Sequence, residues 1–461
     1  MRRSVVRRLV YSGMESKPVA DFLLARRRRA ARALLERSVQ CLGAHAEPAV
    51  VLIGAGERIA VPGQHDRTYP FMAHSAYFHL ADQDCPGGVL ALDLAEAEHE
   101  APWRAFAPEV TQAHRTWEGE VVWEGAPLAE LAAWLARRRG RPVAMLGCPV
   151  GGYGGGVDAT LSAELDDALL HARRVLDDEA LARMRSACQA TAAGHAMAQE
   201  LLTSGRAEGW SEWRLKVEIE AEFFRHGGDG TPYDTIVGSG ANAAVLHASP
   251  SDEPIRAGRC VLVDAGASHR RYAADVTRTW PVGLASQAQR EAIGVVIDAE
   301  QAAIDACKPG VEWHDVHRLA SEKLMEGMAS MGLVVGEPAE LVERGVAALF
   351  FPHGVGHMIG LGVRGAGGRL PGRTPRLGPG GVAVRVDLPL EAGYAMTVEP
   401  GMYFIAGLID GPSVRERFAD AVRWSAVDAL RQEIQGIRIE DDVLVVPDGC
   451  QVLTAQIPRQ P

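Results

Sequence analysis

Apolar positions at the start of the chain follow first a helical and then a strand-like spacing. Residues 17–40 carry apolar side chains on one helix face, at Leu23, Leu24, Ala31, Leu34 and Leu35. Three shorter apolar runs have the length of buried strands, namely AVVLIGAG (49–56), VLAL (89–92) and RPVAMLG (141–147). The residues between them, from 69 to 88, are predicted to be irregular. This alternation predicts a small α/β domain.

The spacing changes at about residue 173. The segment that follows has apolar residues at helical intervals and acidic residues near its start, where the helix dipole favours negative charge. Further helices are predicted near 211–226, 286–306 and 312–332, strands near 233–238 and 260–265, and a last third rich in strands and glycine. Because 461 residues exceed one usual core, we predict two domains, 1–172 and 173–461, of class α/β (α+β).

Composition narrows the class of partner. The net charge of -11 argues against nucleic acid as the main binding partner of the chain. No apolar run approaches the length of a membrane span. The arginine run 26–29 is predicted to be a solvated helix face. The seven cysteines are odd in number and form no Cys-x-x-Cys, which predicts reduced thiols and a cytoplasmic protein.

Four carboxylates interrupt apolar, strand-like segments of the second domain. Asp264 ends the run CVLVD and Asp275 follows the turn SHRR, so a hairpin can bring the two together. Glu399 and Glu440 lie in runs that would otherwise be buried. An unpaired buried carboxylate is costly. Each therefore needs a partner, either an ion pair such as Glu440 with Arg438 or a shared cation.

The stretch HGVGH adds His353 and His357 to this set. Carboxylates with an imidazole suit a hard to borderline divalent ion such as Mn²⁺ better than one that prefers thiolates. Four carboxylates carry too much charge for one small site unless two cations offset it. This favours a dinuclear centre with metals roughly 3.5–4 Å apart. The alternative for the aspartates is a turn or a helix cap.

Other catalytic motifs do not fit the chain. It has no His-Glu-x-x-His and no Gly-x-Ser-x-Gly nucleophile elbow. GSGANA (238–243) matches a dinucleotide-binding fingerprint, but Pro250 and Pro254 leave no room for the helix that this fingerprint requires. His195 lies on the apolar stripe of a helix and is predicted to be a packed core histidine.

The order Asp264, Asp275, His357, Glu399 and Glu440, within VDAG, DVTRT, HGVGH, TVEPG and IRIEDD, resembles a known family. The chain is similar to the Xaa-Pro peptidases, prolidase and aminopeptidase P, of the pita-bread metallopeptidases. The resemblance covers about 173–450. The first domain resembles the family's auxiliary domain more loosely, through YPFMAHSAYFHL and PGGVLAL.

The resemblance implies a role for each of these side chains in binding two divalent ions. Asp264 binds one ion, Asp275 and Glu440 bridge both, and His357 and Glu399 complete the second. Glu399 also takes up and delivers a proton. The ions are expected to be Mn²⁺, with Co²⁺ or Zn²⁺ as alternatives.

Three further residues match positions that the family uses around the substrate. His247 and His353 match histidines of the active site, and His353 steadies the tetrahedral intermediate. Tyr233 lines the pocket.

Three arginines lie in or near these motifs, and one of them departs from the pattern of the family. The family usually has HDVG where this chain has RGAG (364–367), so Arg364 replaces a histidine. Arginine keeps its charge and cannot shuttle a proton near neutral pH, but it can hold a substrate carboxylate. Arg385 matches a prolidase arginine that grips the free carboxylate of a dipeptide, with an exposed loop arginine as the alternative. Arg438 is expected to contact substrate or steady the bridging carboxylate.

The predicted activity is metal-dependent hydrolysis of Xaa-Pro dipeptides. The alternatives are an aminopeptidase P acting on longer peptides, a pita-bread hydrolase of another small amide, and a weakly active or non-catalytic homologue because of Arg364. The expected partner is a small peptide with proline after its first residue. Binding to nucleic acid or to a membrane is not expected. By resemblance the protein is expected to be a homodimer.

Overall fold

The computed structural model describes residues 20–64, 66–119, 121–151, 153, 155–370 and 372–460. Residues 17–19 of the first predicted helix lie outside these ranges. The chain divides into two units, Met1–Ala172 and Arg173–Pro461. Within the described ranges, no helix has the length and hydropathy needed to cross a membrane.

The first unit is built on a mixed sheet with helices. Its elements are α1 (Asp21–Leu42), β1 (Val50–Gly54), α2 (Ser75–Ala81), β2 (Val89–Asp93), a 3-10 turn (Leu94–Glu96), β3 (Trp103–Ala107), α3 (Gln112–Glu118), β4 (Ala126–Pro127), α4 (Glu130–Ala136), β5 (Val143–Gly147) and α5 (Ala159–Ala172). The strand order is β4-β3-β2-β1-β5, with β1 antiparallel to β2 and parallel to β5. The predicted strands are confirmed as β1, β2 and β5.

Helix α2 is missed by the sequence prediction, which has residues 69–88 as irregular. All residues of α2 except Ser75 are buried. The ring nitrogen Nδ1 of His74 caps the helix by accepting the N–H of Ala76 at 3.3 Å, and Asp82 ends it with a φ of 52°. Histidine is not among the usual N-cap residues, so the start of this helix carries no recognisable signal.

The prediction that the arginines 26–29 form a solvated face is wrong for the first two. Arg26 is only 1% exposed, and its guanidinium donates to the carbonyl of His79 at 3.5 Å. Arg27 Nε donates to the carbonyl of Leu80 at 2.8 Å. Both carbonyls belong to the last turn of α2, where cations and donors satisfy the free end of a helix.

The second unit contains more helices and several small sheets. Its elements are α6 (Asp178–Thr203), α7 (Glu212–Arg225), β6 (Ile236–Ser239), a 3-10 turn (Gly240–Ala244), β7 (Cys260–Asp264), β8 (Ser268–His269), β9 (Tyr272–Ala273), β10 (Thr277–Pro281), α8 (Gln287–Ala306), α9 (Trp313–Ser330), α10 (Pro338–Glu343), α11 (Ala347–Phe350), a 3-10 turn (Pro379–Gly381), β11 (Ala395–Val398), β12 (Gly401–Tyr403), α12 (Ala406–Ile409), α13 (Pro412–Arg417), α14 (Trp424–Leu430), β13 (Gly436–Arg438), β14 (Asp441–Val446) and β15 (Gly449–Val452). The helices predicted near 211–226, 286–306 and 312–332 are confirmed as α7, α8 and α9.

Helices cover the sheets that carry the site. Apolar side chains of α6 and α7 pack against the antiparallel sheet β10-β7-β6. Side chains of α8 and α9 share a larger core with β11, β12, β13 and β14. A bridge between Thr277 of β10 and Glu440 links the two regions. The ends of β7 and β10 are thereby held beside the segment that precedes β14.

Candidate active site

Thr277 links two of the predicted carboxylates. It stands opposite Asp264 in the register of β10 and β7. Its carbonyl accepts the N–H of Glu440 at 3.0 Å, and its hydroxyl donates to Glu440 Oε2 at 2.6 Å. Residues from β7, β10 and the segment just before β14 therefore share one end of the sheets.

Asp275 lies between β9 and β10, after the turn that the sequence suggested. The β8–β9 hairpin places Arg270 and Arg271 at positive φ and reverses the chain. The N–H of Asp275 donates to Asp442 Oδ2 at 3.0 Å. This bond fixes the main chain that carries the Asp275 carboxylate.

His357 is oriented by hydrogen bonds on both its main chain and its ring. Its N–H donates to Thr397 Oγ1 at 3.0 Å, and its carbonyl accepts the N–H of Thr397 at 2.9 Å. The ring atom Nδ1 lies 3.1 Å from the carbonyl of Met358, which makes Nδ1 the donor. Nε2 is then left to face Asp275 Oδ2 at 3.4 Å and Glu399 Oε1 at 3.9 Å.

The predicted side chains converge on one cavity of about 790 Å³. One ligand atom from each of Asp275, His357 and Glu440 lies within 4.8 Å of the others, a spacing that a metal ion can bridge. The cavity is also lined by the remaining side chains named from the sequence: Asp264, Glu399, His247, His353, Tyr233, Arg364, Arg385 and Arg438.

The buried carboxylates of this cluster favour the binding of cations. Burial raises the pKa of Glu440 well above its usual range, and the charges of Asp275 and Glu399 raise it further. Burial likewise raises the pKa of Asp264 and Glu399, against the opposing charges of Arg438 and His357. Within the described part of the chain, the buried Asp264 Oδ1 has no hydrogen-bond donor. Several buried carboxylates, one imidazole and an unsatisfied oxygen fit the donor set of divalent ions.

A comparison with protein families shows the family of the chain. The model described as metallopeptidase family M24 matches residues 182–447, which is more than half of the chain. The chain belongs to metallopeptidase family M24. This family uses divalent metals, and the cluster above is where this M24 peptidase can hold them.

Relatives of the M24 peptidase support the same assignment. Xaa-Pro aminopeptidase 2 of Streptomyces coelicolor is 31% identical over 445 residues, covering 88% of this chain and 86% of the relative. Human Xaa-Pro dipeptidase is 36% identical over 263 residues, covering 54% and 52%. The structure of Pseudomonas aeruginosa aminopeptidase PepP matches with a TM-score of 0.72 and 25% identity over 95% and 96% of the two chains. The predicted family and fold class are confirmed.

A chain of hydrogen bonds connects the carboxylates of the M24 site to His353. Arg438 uses all three of its guanidinium nitrogens, donating to Asp264 at 2.5 Å, to the Thr277 hydroxyl at 2.9 Å and to the Tyr403 hydroxyl at 2.9 Å. The Tyr403 hydroxyl lies 3.0 Å from His353 Nε2. Arg438 therefore faces protein groups, which favours a steadying role over direct substrate contact.

His353 is held in its neutral form. Burial, and then the charge of Arg438, lower its pKa to about 3. Its Nδ1 lies 3.0 Å from the carbonyl of Gly354 and 3.8 Å from Glu399 Oε2. With Nδ1 as donor, Nε2 accepts from Tyr403, so one tautomer is selected.

Several supporting residues of the M24 site were not identified from the sequence. Thr277, Tyr403 and Asp442 make the bonds described above. Arg278 is fully buried and donates to the carbonyl of Glu440 at 2.6 Å and to Asp441 Oδ1 at 2.7 Å. The available signal was a charged residue inside the strand-like segment TRTWP, because a strand rarely buries a charge without a partner.

Gly356 lets the main chain next to His357 approach the main chain of Thr397 closely. A Cβ at this position would lie 2.0 Å from the carbonyl oxygen of Thr397. We expect Gly356→Ala to push His357 out of place and to weaken Mn²⁺ binding about 10–100-fold, the usual cost of disturbing the support of a ligand. Metal titration by calorimetry measures this.

The matched control is Gly294→Ala in α8, where a Cβ meets nothing within 4 Å. This variant should bind Mn²⁺ like the wild type. Unchanged affinity in Gly356→Ala would show that His357 does not depend on this backbone contact.

Proposed function

We propose that the chain hydrolyses the bond before proline in Xaa-Pro dipeptides, using two divalent ions, most suitably Mn²⁺. The observation that carries the proposal is the convergence of Asp275, His357 and Glu440, in a cavity that Asp264 and Glu399 also line. The names of the relatives point to the same class of bond.

Five side chains would hold the ions, with Asp275 and Glu440 shared between them. The chemistry that two such ions supply is a water made nucleophilic near neutral pH and a polarised scissile carbonyl. His357 contributes Nε2, since Nδ1 is engaged with Met358. Asp264 is kept in place by Arg438.

Glu399 is placed to move the proton that hydrolysis requires. Its carboxylate lines the cavity, between His357 at 3.9 Å and His353 at 3.8 Å. Burial raises its pKa, which suits a group that takes up a proton and passes it to the leaving nitrogen. The proline nitrogen must be protonated to leave, so Glu399 Oε2 is the proposed donor. His247 would hold the carbonyl oxygen, and Tyr233 lines the wall. His353, whose Nδ1–H donates to the Gly354 carbonyl and whose Nε2 accepts from Tyr403, would support Glu399 at 3.8 Å.

Metal removal gives a direct test of this function. Treatment with a chelator should abolish cleavage of Ala-Pro and Gly-Pro, and added Mn²⁺ should restore it. The assay follows proline release before and after chelation. Activity that survives complete removal of metal, verified by elemental analysis, would contradict the proposal.

An aminopeptidase P activity is the second candidate. It is favoured by the Streptomyces relative, which matches along 88% of this chain and is named an Xaa-Pro aminopeptidase. Cleavage of the tripeptide Ala-Pro-Ala without cleavage of either dipeptide would assign the chain to this activity.

The remaining expectations are also proposals. The first unit would serve as the family's auxiliary domain, and the protein would be a homodimer. All seven cysteines are free, which supports a cytoplasmic protein. Light scattering measures the oligomeric state.

A further inference from the structure

A buried carboxylate outside the metal cluster joins the two ends of one wall of the cavity. Glu212 is the first residue of α7 and is fully buried. Its Oε1 accepts the main-chain N–H of Ser239 at 2.6 Å, and its Oε2 accepts the main-chain N–H and the hydroxyl of Ser251, each at 2.8 Å. The side-chain amide of Asn242 donates to Oε2 at 2.9 Å and to Oε1 at 3.2 Å. We call this set of bonds the Glu212 clamp.

The Glu212 clamp is suited to a carboxylate and to no other side chain of this length. All four groups that face its oxygens are donors, and an ionised carboxylate only accepts hydrogen bonds. Glu212 also stands in the first turn of α7, where the helix dipole favours a negative charge. A glutamine at this position would direct its own N–H groups at donors, so the bonds on that side would be lost.

The clamp encloses the segment that carries His247. Residues 239–251 leave the end of β6, pass through the 3-10 turn and end at Ser251. Residues 246–250 line the cavity. Because Glu212 binds residue 239 at one end of this segment and residue 251 at the other, it fixes both ends of the wall in which His247 stands.

The main chain alone positions the ring of His247. Within the described part of the chain, this ring has no hydrogen-bond or ion-pair partner, and the residue is exposed where it lines the cavity. The ring of His353, by contrast, contacts Gly354 and Tyr403, and the Nδ1 of His357 is engaged by a carbonyl. His247 therefore depends on the placement of segment 239–251 more than the other two histidines depend on their own segments.

Contacts other than the clamp hold the first end of the segment better than the second. Ser239 pairs with Val261 in the sheet, and two alanines of the segment pack in a small core. The second end is bound through Ser251, whose carbonyl accepts the N–H of Trp213 at 3.3 Å and whose two donors both meet Glu212. Loss of the clamp would therefore release the half of the segment that contains His247.

We propose that Glu212 is a positioning residue of the site, which acts by holding His247 where a substrate carbonyl is polarised. The inference rests on the proposed hydrolase function. Glu212 is itself fully buried, so it acts through the segment and not by contact with substrate. A group misplaced by about 1 Å can cost about 10²-fold in rate, so the clamp affects turnover without reaching the reacting atoms.

The variant Glu212→Gln should lose about 10²-fold in kcat for Ala-Pro, with a KM within about threefold of the wild type. The loss falls on kcat because His247 would act on the charge that develops on the carbonyl oxygen. Bound metal should be unchanged, since all five proposed ligands lie outside segment 239–251. Glu218→Gln makes the same change on the same helix, at a carboxylate outside the clamp, and should keep the wild-type kcat.

A double-mutant cycle separates positioning from a general loss of stability. In His247→Ala, which already lacks the ring, Glu212→Gln should lower kcat by no more than about threefold further. A further loss of about 10²-fold, as additive effects would give, would overturn the inference. Asn242→Ala removes the donor that both oxygens of Glu212 share, and it replaces Glu212→Gln if that variant does not fold. Its loss in kcat should likewise disappear in His247→Ala.

Hydrogen exchange gives a readout that is independent of turnover. In Glu212→Gln, peptides covering 239–251 should exchange at least about tenfold faster than in the wild type, while those of α8 stay unchanged. Wild-type exchange of 239–251 in this variant would contradict the inference whatever the activity. If the wild type cleaves no Xaa-Pro peptide but exchange in this segment depends on Glu212, the hydrolase function fails and the clamp on His247 stands.

Discussion

The variant Asp275→Asn is expected to lose at least about 10³-fold in kcat/KM, the scale on which loss of a key electrostatic group acts. The Asp275 carboxylate lies 3.4 Å from His357 Nε2, and the main-chain N–H of Asp275 donates to Asp442. Asparagine keeps the size of the side chain but removes the charge that two cations would share. The loss should therefore appear in bound metal as well as in rate.

Elemental analysis of Asp275→Asn should find fewer divalent ions per chain than in the wild type. The control Asp420→Asn removes an exposed carboxylate that pairs with Arg344 at 2.9 Å. Its metal content and rate should be unchanged, since exposed ion pairs contribute little. Wild-type metal content and rate in Asp275→Asn would show that Asp275 does not bind the metal ions.

The variant Glu399→Gln is expected to lower kcat by about 10²–10⁴-fold, the usual contribution of a positioned acid or base. The amide can still offer an oxygen to a metal ion, but it cannot take up a proton. Release of proline from Ala-Pro, measured with saturating Mn²⁺, reports the loss in kcat.

Glu416→Gln in α13 removes an exposed carboxylate and serves as the control. Folding of Glu399→Gln is checked by circular dichroism. A kcat for Glu399→Gln within tenfold of the wild type would show that another group carries the proton. His353 is disfavoured for that role, because its pKa of about 3 keeps it neutral.

The sequence singled out four carboxylates because each stands in a local pattern, and the resemblance to the family implied that they and His357 are ligands. Asp264 closes a strand, Asp275 follows a turn, and Glu399 and Glu440 interrupt apolar runs that had to be buried. The structure brings these residues to one cavity. Their roles as ligands stay predictions until a metal is observed.

The sequence did not predict the contacts that hold these ligands. Thr277 bonds Glu440, Asp442 bonds Asp275, and Arg278 bonds the carbonyl of Glu440, all across large separations in the chain. Such pairings depend on strand register, which hydrophobic spacing alone leaves open. Helix α2 was missed for a different reason, because a histidine caps it and no usual start signal precedes it.

The central claim is that five distant side chains bind a pair of divalent ions. A crystal structure of the protein grown with Mn²⁺, with anomalous differences collected near the manganese edge, measures this most directly. The account predicts two peaks roughly 3.5–4 Å apart, with Asp275 and Glu440 between them and Asp264, His357 and Glu399 around them. Anomalous peaks outside this cluster, or none at saturating Mn²⁺, would contradict it.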